Sequence, residues 1–147
     1  MPEQHLRDLC ARLQLPMPRA NERGVYDLRF ADGFVLLIHG TRHLLYLRGK
    51  VCALPHNADE TDRLCCDLLR LSLGRTGQEC GNALPHLALD EGEISLQMTL
   101  ERDLPPDDFA EAVEFFMNLL EKWSQLATRE QYQTVSAAGL MQGFLRP

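Results

Sequence analysis

Five cysteines and five histidines are the side chains of this 147-residue chain best suited to hold a metal or act as nucleophiles. Their spacing decides how far that chemistry can go. Zinc sites use spaced cysteines that let two thiolates reach one ion. Cys65 and Cys66 are adjacent instead, and no C-x-x-C occurs. His39 and His43 flank a turn and could meet across a hairpin, but surface or half-buried histidines at strand ends is the plainer reading. His56 and His86 stand beside prolines in loops. A nucleophile needs a positioned base, and the G-x-S-x-G elbow that exposes a catalytic serine is absent. Cys10, Cys52 and Cys65 fall in apolar patterns, where cysteine behaves as a small hydrophobe. Cys80, between Glu79 and Gly81, is the thiol expected at the surface.

Three carboxylate groups remain. Asp59, Glu60 and Asp62, like Asp103, Asp107 and Asp108, sit where helices would begin, and acids there favour the helix dipole and the free N–H groups. Asp90, Glu91 and Glu93 mark a hairpin tip. None of these needs a general acid–base role. Gly49-Lys50 ends like a phosphate loop, but Leu44 stands where the first glycine of that motif belongs. We therefore expect no catalytic residue, no cofactor and no metal ligand, and read the chain as a binding protein.

The length suits one domain, with a core that buries roughly two thirds of the unfolded surface. The net charge of -6 argues against nucleic acid as the main partner. It is unevenly spread. Residues 1–50 carry eight basic and five acidic side chains, and residues 51–147 carry seven and sixteen. Two solvated faces of one domain account for this; an acidic surface for a basic partner is the sharper alternative. There is no apolar run of about 18 residues to span a membrane. The start, Met1-Pro2-Glu3-Gln4-His5, lacks the basic and apolar regions of a signal peptide. An odd cysteine count suggests free thiols in a cytosolic protein, not a disulfide framework.

The elements that would position any site follow from hydrophobic period. Glu3–Leu13 reads as a helix with the stripe Leu6, Leu9, Cys10 and Leu13, stopped by Pro16 and Pro18. Val25–Phe30, Phe34–His39 and Leu44–Leu54 read as strands, the third with a break expected at Gly49. Ala31-Asp32-Gly33 turns between the first two. A second helix starts at Asp59, with Leu64, Cys65, Leu68, Leu69 and Leu71 as its apolar positions and Gly74 as its cap. Strands over Leu84–Leu89 and up to Leu100 follow. In the latter, Ile94, Leu96, Met98 and Leu100 alternate with Ser95, Gln97 and Thr99. A third helix runs from Pro106 to Leu126, with Phe109, Val113, Phe116, Met117 and Leu120 at helical spacing. The expected fold is α+β: helix, three strands, helix, two strands, helix, with the helices packed on a twisted antiparallel sheet. The domain covers residues 1–126. Residues 127–147 form a C-terminal tail, as a short docking helix or partly mobile.

Three stretches resemble one known family. They are the stripe Leu6-Leu9-Cys10-Leu13, the run Tyr26-Asp27-Leu28-Arg29-Phe30-Ala31-Asp32-Gly33-Phe34-Val35-Leu36-Leu37, and Ile94–Leu100 with Pro105, Phe109 and Leu120. The family is the class I chaperones of bacterial type III secretion, the CesT/SycE-like proteins, and the likeness covers about residues 3–126. It implies a cytoplasmic bacterial homodimer that binds the N-terminal segment of a secreted effector, without catalysis, and keeps it soluble and secretion-competent. By position it implies a partner-binding groove of Leu9, Leu13, Phe30, Phe34, Leu36 and Leu45. It also implies a dimer interface around Leu64, Leu68, Leu71 and Leu87. A regulatory protein of the same fold that sequesters a regulator is the alternative. A small ligand carrier or enzyme using His39, His43 and Cys52 ranks below both.

Overall fold

The computed structural model describes residues 2–73 and 85–144. Its elements follow in the order α1 (Pro2–Leu13), β1 (Val25–Arg29), β2 (Val35–Gly40), β3 (Leu44–Ala53), α2 (Ala58–Leu73), β4 (His86–Asp90), β5 (Glu93–Glu101) and α3 (Pro106–Phe144). This is the expected α+β order of three helices and five strands, and the strands form one antiparallel sheet in the order β1-β2-β3-β5-β4. The expected cap Gly74 and surface thiol Cys80 lie outside the described residues.

The hairpins are local. Gly33 takes φ 90° and its N–H reaches the Phe30 carbonyl, while Phe30 N–H bonds back to the Phe34 carbonyl. A glycine at that point lets a three-residue loop close with the right twist. Asn57 caps α2 by accepting from the Asp59 N–H through Oδ1 at 2.9 Å. Pro106 opens α3 ahead of Asp107 and Asp108, where its missing N–H is harmless.

The alternation seen in the sequence becomes two faces. Leu28, Leu36, Ile38, Leu45, Leu47, Leu96, Met98 and Leu100 point to one side and are buried. Against them lies the α3 stripe Phe109, Ala112, Val113, Phe116, Leu120, Trp123 and Ala127. α1 adds Leu6, Leu9 and Cys10 to this core, and α2 adds Leu64 and Leu68.

Two elements differ from the sequence expectation. β3 is not broken at Gly49: the strand runs through it, with Gly49 opposite Leu96, and the register shifts only between Lys50 and Cys52. Glycine is there because α3 comes close. A Cβ on Gly49 would lie 2.5 Å from Leu120 Cδ2. The third helix also does not stop at Leu126; α3 continues unbroken to Phe144. Nothing between Leu126 and Phe144 is a proline, and the two glycines there, Gly139 and Gly143, each cost a helix only about 1 kcal/mol.

Candidate functional site

The chemistry-bearing side chains stay apart. His39 stacks on Tyr46 across β2 and β3, with ring centroids 6.1 Å apart. His43 sits in the following turn, where its carbonyl accepts from Arg102 N–H at 3.0 Å. Cys52 lies past the β3 register shift, opposite Ile94 and near Cys65 of α2. The pocket imagined around His39, His43 and Cys52 is therefore not assembled. Burial pushes the thiols of Cys10, Cys52 and Cys65 up, away from the reactive thiolate form. Among the described residues no three His, Cys, Asp or Glu side chains group so as to hold a metal ion.

What the fold offers is a sheet edge beside α1. α1 is tied over the start of α3. His5 Nε2 meets the Leu104 carbonyl at 2.6 Å, its ring packs edge-on against Phe109 at 5.2 Å, and Arg12 pairs with Asp107. Tyr26 donates its hydroxyl to Glu3 Oε1 at 3.1 Å, joining β1 to the same helix. These anchors hold α1 beside the β1 side of the sheet. β1 is an edge strand. Its beginning is occupied: Ala20 bridges Tyr26, Asn21 N–H bonds the Val25 carbonyl, and Asn21 Oδ1 accepts from Val25 and Arg23. Past Tyr26 that edge has no strand partner among the described residues, and Pro16 and Pro18 have no N–H to offer it.

The six residues expected to line a groove divide by depth. Leu9, Leu36 and Leu45 are buried within the chain itself, at 3%, 0% and 0% exposure. They belong to the core, because helices already cover the inner sheet face. Phe30 and Phe34 are half-buried, and Leu13 is 45% exposed. Met17, which follows the helix stop, is 39% exposed; it lies outside every periodic segment, so no pattern singled it out.

The residues expected at a dimer interface divide the same way. Leu64 and Leu68 point into the core of their own chain, and Leu87 is half-buried. The side chain of Leu71 lies outside the described residues. The exposed apolar groups of this region are Leu69 at 60% and Leu89 at 63%. Leu69 sits off the buried α2 stripe, a signal that the helix is apolar on a second side. Leu89 shares the Leu87 face of β4, opposite Ile94.

The outer face of the sheet is polar on its β4 side. Arg48 pairs with Asp90 at 2.7 Å and with Glu93 at 3.0 Å, and Ser95, fully buried, donates to Asp90 at 2.7 Å. These charges are one third exposed, so each pair contributes at most about 1 kcal/mol. Together they occupy the hydrogen-bonding groups of that face.

Comparison with known proteins agrees with this geometry. The family model described as the Tir chaperone protein (CesT) family matches residues 4–124. No curated protein matches the chain in sequence. Among solved structures, a chain in the Yersinia pestis type III secretion chaperone SycH in complex with a fragment of YscM2 has a TM-score of 0.59 at 17% identity. The match covers 86% of this chain and 99% of that one. A chain of the Pseudomonas aeruginosa ExoU–SpcU complex from the type III secretion system has a TM-score of 0.56 at 17% identity, over 87% and 96% of the two chains. YbjN, a putative transcription regulator from E. coli, has a TM-score of 0.60 at 14% identity, over 87% and 92%.

Proposed function

The chain belongs to the Tir chaperone (CesT) family, and from that premise we propose that it is a homodimeric, non-catalytic chaperone for the N-terminal segment of a type III secreted effector. The match over residues 4–124 carries the reading. The effector segment lies in extended form along the α1 and β1 side, against Leu13, Met17, Phe30 and Phe34. Main-chain bonding to a sheet edge with side chains entering apolar recesses is an established mode of peptide capture. Covering such groups also explains why a soluble chain leaves them at its surface. The two protomers meet through α2 and β4, at Leu69, Leu89 and Leu87.

Co-expression with the protein encoded beside this one tests the reading. We expect a stable complex between the dimer and the N-terminal segment of a secreted protein. Leu13→Asp, at an exposed position, should weaken capture and leave the fold intact. Recovery of a transcriptional regulator in place of a secreted protein would favour a regulatory role. Capture of neither partner would reject both roles.

A further inference from the structure

An open depression of about 540 Å³ lies where Phe34, at the end of the β1–β2 hairpin, faces the middle of α3. Its wall is Phe34, Ser124, Gln125, Thr128 and Arg129. Two of these groups lack partners among the described residues. The Ser124 hydroxyl oxygen is buried with no hydrogen bond among the described residues, while Thr128 donates its own hydroxyl to the Ser124 carbonyl at 2.9 Å. A hydroxyl withdrawn from water without a partner destabilises the free protein, so it marks a place where a partner is expected. Arg129 is exposed and makes no ion pair among the described residues.

We infer that this depression anchors one large apolar side chain of an extended peptide, flanked by a carboxylate. Phe34 supplies the apolar wall. Arg129 supplies the cation for the flanking acid. Ser124, after a turn about χ1, donates to the acid or to the peptide carbonyl. A basic flank would meet Arg129 as a like charge. The inference deepens the chaperone reading, on which it rests, by naming the chemistry of the captured segment.

The test uses fluorescent synthetic peptides with one leucine or phenylalanine set in serine and glycine, flanked by aspartate, serine or lysine. Anisotropy is read against the full chain. The aspartate-flanked peptide should bind about tenfold tighter than the lysine-flanked one, as expected when an attraction becomes a repulsion at a partly screened site. Arg129→Glu should erase or reverse that preference. Ser124→Ala should weaken the aspartate-flanked peptide about fivefold, the scale of one hydrogen bond. The same variant should melt no lower than the parent, because it removes an unpartnered buried group. Binding that ignores the flank, binding unchanged in both variants, or no binding would each overturn the inference. If both variants still capture the co-expressed secreted protein fully, the depression falls and the chaperone reading stands. If the peptides bind as expected but no secreted protein is captured, the site stands and the chaperone reading falls.

Discussion

Gly49→Ala is the substitution whose effect the structure specifies most closely. The added Cβ would sit 2.5 Å from Leu120 Cδ2, 3.0 Å from Cδ1 and 3.3 Å from Cγ. Non-bonded carbons prefer roughly 3.5–4.0 Å, so the nearest contact must open by about 1 Å. Leu120 is at 0% exposure, and both routes of relief are resisted. Turning its side chain drives it into a filled core. Lifting α3 loosens the packing from Phe109 to Ala127. Overpacking of this kind costs about 1–3 kcal/mol. Alanine returns about 0.5–1 kcal/mol of that, because glycine is a poor strand residue. The net loss should be about 1–2 kcal/mol, which for a chain of this size lowers Tm by roughly 2–8 °C. Urea unfolding at fixed protein concentration, followed by the fluorescence of buried Trp123, measures it. The decisive comparison is the double substitution. Leu120→Ala alone should cost about 2–5 kcal/mol through the cavity it leaves. With that space open, Gly49→Ala should become neutral or stabilising, a coupling of at least about 1 kcal/mol. Equal destabilisation with and without Leu120→Ala, or no destabilisation with Leu120 in place, would refute the close-approach argument.

Other outcomes follow from single observations. Gln14 ends α1 at φ 54°, with Leu15 N–H bonded to the Cys10 carbonyl in a Schellman arrangement, so Gln14→Gly should raise stability by about 0.5–1 kcal/mol in thermal melts. Burial, then the hydrogen bond to Glu3, raises the Tyr26 phenol above its ordinary value. The folded state therefore favours the neutral phenol. The stabilisation is whole below the unfolded value of about 10 and is lost as pH climbs from there through the folded value; Tyr26→Phe should flatten that alkaline loss in pH-dependent unfolding. Leu89→Asp should shift a dimer toward monomer in light scattering at micromolar concentration with the circular dichroism unchanged, and an unaltered mass would count against the α2–β4 interface. Iodoacetamide should label exposed Cys66 before Cys10, Cys52 and Cys65, and mass spectrometry showing the reverse order would contradict the burial assigned to them.

The readable parts of the sequence were those where one periodicity ran uninterrupted. Ile94 to Leu100 alternate without a break, and β5 is the strand that follows from them. The Phe109–Leu120 stripe is the buried side of α3, where Ala112 and Trp123 extend it. Asp32-Gly33 acts locally, through a turn, so neighbours in sequence sufficed to place it. Gly49 was misleading for the opposite reason. Its role depends on a leucine 71 positions away that meets it only when α3 lies across β3.

By itself, then, the sequence determined the order of helices and strands, the alternation along β5 and the absence of any spaced ligand or nucleophile motif. These depend on periodicity and short-range spacing, which a linear chain displays. Only the tertiary structure decided which apolar residues remain at the surface. Leu36 and Leu45 look as suited to a partner as Leu13, yet helices cover the first two and leave the third in water. Leu64 and Leu68 turn inward while Leu69 and Leu89 stay out, and the Ser124 hydroxyl loses water without gaining a partner among the described residues. Burial is a property of what packs against a residue from elsewhere in the chain, so no reading along the chain alone could assign it.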